Sequence, residues 1–363
     1  MHRTAIHDWH VARDGRMVDF AGWNMPIQYS SIIEEHQAVR QRVGLFDIGH
    51  MGRLKFTGPE AFDVLDRLLT NDVTKLEVGQ VRYSLVCNEQ GGTLDDVLVY
   101  RFDDCYRLVV NASNREKIVA WINRHLADAD VEMTDETFET AMIAVQGPSA
   151  VIVLNPFVDV DIAVLGYYTA IEAKVNDVSA IVSRTGYTGE DGFEVVVDAV
   201  HGQPVWESLI AAGHKAGLLP CGLGCRDTLR LEAGMPLYGH EMDECIDPLT
   251  AGLGFGVKLR VGDFIGKTAL TRIQQGPFAR KRVGLRLEGR RIAREGAEVL
   301  QDEVPIGQVT SGTYSPTLGM PIAMAYLTLE TANPGNTVEV DLRGQRVNAV
   351  VCDLPFYRRR DVR

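Results

Sequence analysis

A strand–Gly–Pro–helix order occurs twice in this chain, about ninety residues apart, and the duplication narrows the architecture more than any other feature. Arg53-Leu-Lys-Phe-Thr57 alternates like a short strand, and Gly58-Pro59 leads into Phe62, Leu65 and Leu69, spaced as one face of a helix, so that Lys55 to Ala61 carries the strand–Gly–Pro–helix order. Ala144-Val-Gln-Gly-Pro-Ser-Ala150 repeats that order. After each comes a glycine-bearing turn, an acid and an apolar strand, Gly91 to Tyr100 in the first case and Gly189 to Val197 in the second. The pattern predicts amphipathic helices around 115–126 and 203–216, the first opened by a capping box at Ser113 and Glu116. A further capping box, Ser31 and Glu34, starts a helix carrying Ile32, His36, Val39 and Val43, with Gly44 as its stop. Hairpins with helices packed on one side read as two related α+β lobes with antiparallel sheets.

Past about residue 275 the pattern changes. Strand-like pieces at 283–287, 306–310, 323–327, 338–342 and 347–351 alternate with Gly, Pro and Asn turns, which predicts an all-β barrel or jelly roll. Gln274-Gln275-Gly276-Pro277 reads as the linker, giving a division into 1–275 and 276–363. The 363 residues suit two or three domains and need no disulfide or metal staple. With 37 Lys+Arg against 49 Asp+Glu, the net charge of −12 argues against a general nucleic-acid binder. No apolar run is long enough for a membrane helix, and the first residues lack a signal core, so a cytoplasmic location is expected. The cysteines, at 87, 105, 221, 225, 245 and 352, show no metal or redox spacing and are read as reduced structural thiols.

Three features carry candidate chemistry. Asp95 and Asp96 open a strand, so their side chains point to opposite faces and only one can meet a given pocket. Asp96 shares its face with Leu98 and Tyr100; the plain structural alternative is two acids capping a glycine turn. Gly186 to Gly192 has glycines every third residue, but strands flank it on both sides, so it is a hairpin and not a phosphate cradle. It leaves Tyr187 and Glu194 as a second pair of aromatic and carboxylate. Arg226 sits near the start of a helix, where the dipole favours anions, so another partner must account for it. Between Arg280 and Arg294 seven Lys/Arg face one acid, Glu288, either as a solvated strand face or for an acidic partner. Histidine and cysteine spacing supports no metal site, and no nucleophile elbow is present. Carboxylates, tyrosines and an arginine suit a flat polar heterocycle such as a pterin.

Six ordered blocks carry a resemblance to a known family. They are Met17-Val-Asp-Phe-Ala-Gly-Trp-Asn-Met-Pro-Ile-Gln-Tyr29, Gly44-Leu-Phe-Asp-Ile-Gly-His-Met-Gly52, Gly91-Gly-Thr-Leu-Asp-Asp96, Thr185-Gly-Tyr-Thr-Gly-Glu-Asp-Gly-Phe-Glu194, Gly224-Cys-Arg-Asp-Thr-Leu-Arg-Leu-Glu-Ala-Gly234 and Gly262-Asp-Phe-Ile-Gly-Lys-Thr-Ala-Leu270. The chain resembles the glycine-cleavage T-protein (aminomethyltransferase) family from end to end. The resemblance implies a folate-binding region of two intertwined lobes followed by a β-barrel. It implies transfer of the aminomethyl carbon from the dihydrolipoyl arm of a lipoylated H-protein to tetrahydrofolate, with release of ammonia and formation of 5,10-methylenetetrahydrofolate. Asp96 matches the family's essential acid and Glu194 its pterin-edge carboxylate. Met51, Tyr83, Tyr100, Asn111 and Tyr187 match pocket positions, Arg226 a folate-site arginine, and Arg358 is assigned to a C-terminal contact whose alignment is ambiguous. No metal is implied. Two other readings are a folate-dependent demethylase of the same superfamily and a non-catalytic folate-binding iron–sulfur assembly factor. Arg53 departs from the family pattern, where many relatives carry an acid, and is expected to alter the pocket rim or a carrier-docking surface.

Overall fold

The computed structural model describes residues 1–126 and 129–359. Each copy of the duplicated pattern builds one sheet. The first copy supplies strands Gly52–Thr57, Val81–Cys87, Thr93–Arg101, Tyr106–Val110 and Glu132–Asp135, with helices Ala61–Leu68 and Arg115–Leu126. The second supplies Thr140–Gln146, Ala170–Val175, Val178–Ser183, Gly192–Asp198 and the short Leu219–Pro220, with helices Ala150–Leu154 and Ala199–Gly213. In chain order within each copy, strands two, three and four run across the sheet and strand one closes against strand four.

That topology corrects the internal alignment read from sequence. By position in the sheet, Thr93–Arg101 corresponds to Val178–Ser183, and Gly192–Asp198 corresponds to Tyr106–Val110. The sequence echo paired Thr93–Arg101 with Gly192–Asp198, one strand out of step, because every hairpin uses the same turn residues. The Gly–Pro turns themselves are equivalent. Gly58 (φ +109°) and Gly147 (φ +129°) both adopt conformations that side-chain-bearing residues avoid, and a Cβ would lie 2.4 Å from Asp130 O and 2.6 Å from Arg42 O respectively.

The lobes interlock because the chain lends its first elements to the second sheet. Gly44–Asp47 pairs with Thr140–Gln146, and Ile6, Trp9, Val43 and Leu45 enter the core beneath that sheet with Trp206 and Phe193. The first sheet packs on its own core, around Leu54, Phe56, Leu65 and Ile118. Gly44 therefore starts a strand instead of ending the preceding helix, which runs Ile32–Gln41. Its hydrogen is needed for close packing, since a Cβ would sit 2.4 Å from Val39 Cγ2 and 2.7 Å from Cys221 Sγ.

Ser31 Oγ accepts the Glu34 N–H at 3.2 Å, as a capping residue should. The carboxylate that answers from the first turn is Glu35, which accepts from the N–H groups of Tyr29 (2.6 Å), Ser30 (3.1 Å) and Gly222 (2.8 Å). Ser113 caps nothing: residues Ala112–Asn114 form a 3₁₀ turn that runs directly into helix Arg115–Leu126.

Helix Lys267–Gln275 includes Gln274 and Gln275, so the connection to the next unit is 276–279. Six strands, Arg280–Leu287 to Arg346–Cys352, then close into a barrel around Leu285, Val299, Ala325 and Val340. One of them, Glu298–Gln301, escaped the sequence reading because four residues are too few to show alternation. The barrel meets helix Leu223–Glu232 through Leu231, Ile322, Met324 and Phe356. Buried Glu232 ties the contact, accepting from Thr317 Oγ1 (2.8 Å) on one side and Arg40 (2.9 Å) on the other. Among the described residues no helix is long and apolar enough to cross a membrane.

Candidate active site

A cavity of about 490 Å³ opens where the two sheets, the 233–240 loop and the barrel meet. Met51, Tyr83, Asp96, Asn111, Tyr187, Glu194 and Arg226 all line it. These residues come from six separate segments, and the volume lies within the roughly 300–1,000 Å³ usual for small-molecule sites.

Strand alternation separates the paired acids as expected. Asp95 points away from the cavity and is fully buried, while Asp96 faces it. Asp95 accepts three N–H donors: Asn111 backbone (3.0 Å), Asn111 Nδ2 (2.8 Å) and Asn114 Nδ2 (2.6 Å). Asp96 accepts from Asn111 Nδ2 (2.7 Å) and from the Tyr83 hydroxyl (3.1 Å). Burial pushes both carboxyl groups well above the usual range, and the neighbouring charge of Asp96 adds to the rise at Asp95. Burial and the nearby Asp96 charge hold the Tyr83 hydroxyl protonated, and its ring stacks on Phe255 at 5.3 Å.

Glu194 stands on Gly192–Asp198. The Thr185 hydroxyl donates to its Oε2 at 2.6 Å. Burial raises its pKa, an effect opposed by Thr185 and by the Arg226 guanidinium. Arg226, in the first turn of helix Leu223–Glu232, lies over the Tyr187 ring at 4.8 Å. Burial lowers its pKa, Glu194 acts the other way, and a guanidinium stays charged. Glu194 and the Tyr187 face are thus the partners that the sequence required for an arginine at a helix start.

Two assigned residues lie elsewhere. Tyr100 is on the face of its strand opposite Asp95 but sinks into the contact between the lobes, with Val81, Phe102 and Ala170. Its hydroxyl is buried with no partner among the described residues. Strand twist and sheet packing carry it off the cavity wall one alternate residue beyond Leu98. Arg358 is exposed and lines no described cavity. Its neighbours take the contacts: Tyr357 lies under Arg40 at 4.1 Å, and Arg359 Nη1 is 3.4 Å from Asp191.

Other residues on the wall were not read from the sequence. His50 is 2% exposed, its Nδ1 has no partner among the described residues, and burial, reinforced by Arg226, holds its pKa down to about 3. It faces Phe20 edge-on at 5.4 Å. Its position inside the His-Met-Gly block, one residue before Met51, was the available signal. Tyr168 and Tyr238 also contribute, and Arg282 arrives from the barrel. The basic stretch thus splits. Arg282 turns inward to Gly234 O (3.2 Å), whereas Arg290, Arg291 and Arg294 border an open surface basin with Arg343. Arg53 is buried and sits on neither the rim nor the surface. Its guanidinium donates to Met51 O (2.5 Å), to Gly49 O (3.2 Å) and to Thr140 Oγ1 (2.7 Å), stapling the turn that carries His50 and Met51. A second cavity of about 440 Å³ adjoins the first, sharing Phe20, Tyr187, Arg226 and His240, and extends to Arg294 and Ser311 of the barrel.

Glu35, Cys221 and Cys225 form the one metal-like cluster among the described residues, but the Glu35 oxygens already accept three backbone N–H groups. All six cysteines are free thiols.

Residues 6–261 match the GCVT N-terminal domain family, and residues 280–358 match the glycine cleavage T-protein C-terminal barrel domain. The chain belongs to the glycine-cleavage T-protein family. It is 50% identical over 361 residues to an aminomethyltransferase of Rubrobacter xylanophilus, covering 99% of this chain and 95% of that protein. It is 48% identical to the aminomethyltransferase of Symbiobacterium thermophilum, covering 98% and 97%. The crystal structure of glycine cleavage system aminomethyltransferase T from Bartonella henselae superposes with a TM-score of 0.91 at 32% identity, covering 98% of each chain. The T-protein family is one of aminomethyltransferases, and this chain is a transferase of that kind, with the lobes-plus-barrel architecture of the Bartonella henselae enzyme.

Proposed function

We propose that the cavity binds tetrahydrofolate and that the chain transfers to it the aminomethyl carbon carried by the lipoyl arm of H-protein, releasing ammonia. The observation that carries this reading is the convergence, in a T-protein chain, of Asp96, Glu194 and Arg226 on one aromatic-walled cavity. The donor set suits a pterin. Thr185 engages one lone pair of Glu194 Oε2, which leaves an acceptor site on each oxygen for a pair of parallel ring N–H donors, with Arg226 beside it for a carbonyl. Tyr83, Tyr187 and Phe255 supply flat faces. When bound, the folate supplies the nitrogen nucleophiles.

The chain's own part is positioning and electrostatics. The clamp of Glu194 and Arg226 fixes the ring, which turns a bimolecular encounter into an oriented one. Asp96, held by Asn111 and Tyr83, presents a carboxylate where positive charge develops on the carbon being transferred. Tyr187 donates its hydroxyl to Pro236 O, which ties the aromatic wall to the 233–240 loop. In this reading residues 1–275 form the catalytic region, residues 276–363 the barrel unit, and the chain works in the cytoplasm without a metal.

The test is ammonia release and methylenetetrahydrofolate formation from aminomethyl-loaded, lipoylated H-protein plus tetrahydrofolate. Folate-dependent turnover that disappears with unlipoylated carrier is expected. Tight folate binding without turnover would sink the reaction while leaving the pocket intact.

A further inference from the structure

Asp95 is a fully buried carboxylate that touches neither the cavity nor any cation among the described residues. Such a group is costly to bury, and a carboxylate of this kind persists where it organises its neighbours. Its neighbours here are two amides. Asn111 Nδ2 lies 2.8 Å from Asp95 Oδ1, 2.7 Å from Asp96 Oδ1 and 3.2 Å from Asp96 O. The two Asp95 and Asp96 contacts go to carboxylates and the third to a carbonyl, so the amide must turn its NH₂ toward them. Its carbonyl oxygen is then the end left to the cavity that Asn111 lines. One NH₂ therefore bridges two carboxylates that share a water-poor site, an arrangement in which two full negative charges repel.

We propose that Asp95 is a positioning residue: it holds the Asn111 amide with Nδ2 toward Asp96 and Oδ1 toward the cavity, and the mutual repulsion of the two buried carboxylates keeps one proton shared by the pair until Asp96 ionises in the acid limb. The proposal rests on the folate reading for its consequence in catalysis, though not for the proton itself. The other groups facing the pair are neutral or already engaged. Burial keeps Tyr83, Tyr168, Tyr187 and Tyr238 protonated. Lys117 pairs with Tyr238 (2.7 Å) and Glu244 (3.0 Å), and Arg282 donates to Gly234 O (3.2 Å).

Two substitutions off the cavity wall both weaken the repulsion on Asp96 but differ in whether a protonated carboxyl remains. Asp95→Asn removes the repelling charge, so the acid limb of kcat/KM for tetrahydrofolate moves about one pH unit lower. Asn114→Leu removes a donor that stabilises the Asp95 anion, so Asp95 takes the pair's proton more readily, repels Asp96 less, and the limb moves to lower pH by a smaller amount. Infrared difference titration of the ligand-free protein should show a carboxylic C=O band near neutral pH that Asp95→Asn abolishes and Asn114→Leu retains. An acid limb and band that stay in place in both variants, with only the melting temperature lowered, would overturn the proposal. Should Asp95→Asn not fold, the direction of the Asn114→Leu change decides alone. Wild-type protein without turnover defeats the folate reaction, while the infrared titration still decides the shared proton.

Discussion

In the first lobe the acids sit on Thr93–Arg101, the second strand of its sheet, whereas Glu194 sits on Gly192–Asp198, the third strand of the other sheet. The lobes share strand order and Gly–Pro turns, yet their acids occupy non-equivalent positions and meet different surroundings. Asp96 faces a second buried carboxylate across one amide, so its charge responds to protons. Glu194 faces Arg226 and a threonine hydroxyl, so its charge is answered by a fixed cation. Duplication therefore supplied a scaffold and two walls, and each wall acquired its own electrostatics. In the proposed reaction a proton-sensitive group would serve the reacting carbon and a charge-matched clamp the ring that must be held still.

The sharpest way to break that division is to neutralise each acid in turn. Asp96→Asn should lower turnover by ~10²–10³-fold, the scale of losing one group that stabilises developing charge, with folate affinity changed far less. Glu194→Gln should do the reverse, weakening tetrahydrofolate binding by about 10–100-fold, as for the loss of one charge-assisted bond, with turnover at saturation largely kept. Steady-state kinetics with calorimetric binding separates the two. Equal losses of kcat in both variants would erase the distinction between the lobes.

The scaffold half of the comparison is tested by stability. Gly58→Ala and Gly147→Ala each force a side chain into a positive-φ turn against a backbone carbonyl, so matched losses of about 2–3 kcal/mol are expected in denaturant unfolding. A loss at one position only would show that the two turns are not structural equivalents. The smallest effect is expected at His50. Replacing it by Leu removes a buried unpartnered nitrogen and should stabilise the protein by about 1 kcal/mol at neutral pH. The folded imidazole titrates at about 3 against an ordinary 6.5, so the unfolded chain takes up the proton first and native stability falls as pH drops through that window. His50→Leu should lack this slope, and unfolding at pH 7 and pH 5 measures it.

Much of this was legible in the sequence because the signals are local. A period of two sends Asp95 and Asp96 to opposite faces whatever the sheet does next. A glycine before a proline marks the strand-to-helix turn in both lobes. Where the local signal is generic the reading slipped: Ser113 and Glu116 have capping-box spacing, but Asn111 and Asn114 are drawn to Asp95, and the segment winds into a 3₁₀ turn first. Arg53 reads from sequence as altering the pocket rim or a carrier-docking surface, yet the carbonyls of Gly49 and Met51 take its donors. Arg358 was placed by alignment in a tail where one residue of register decides which arginine faces Asp191, and Arg359 does.

The sequence by itself determined the α+β lobes, the closing barrel, the family and seven side chains of one cavity, since periodicity, turn chemistry and ordered motifs depend on near neighbours along the chain. Tertiary structure decided the rest. Folding sent Tyr100 behind the wall, brought Arg282 in from the barrel, set His50 against Phe20 and bridged two acids with Asn111. Those contacts join residues remote in sequence or depend on how strands twist across a sheet. Their geometry is set by packing between elements, a property that no local pattern encodes.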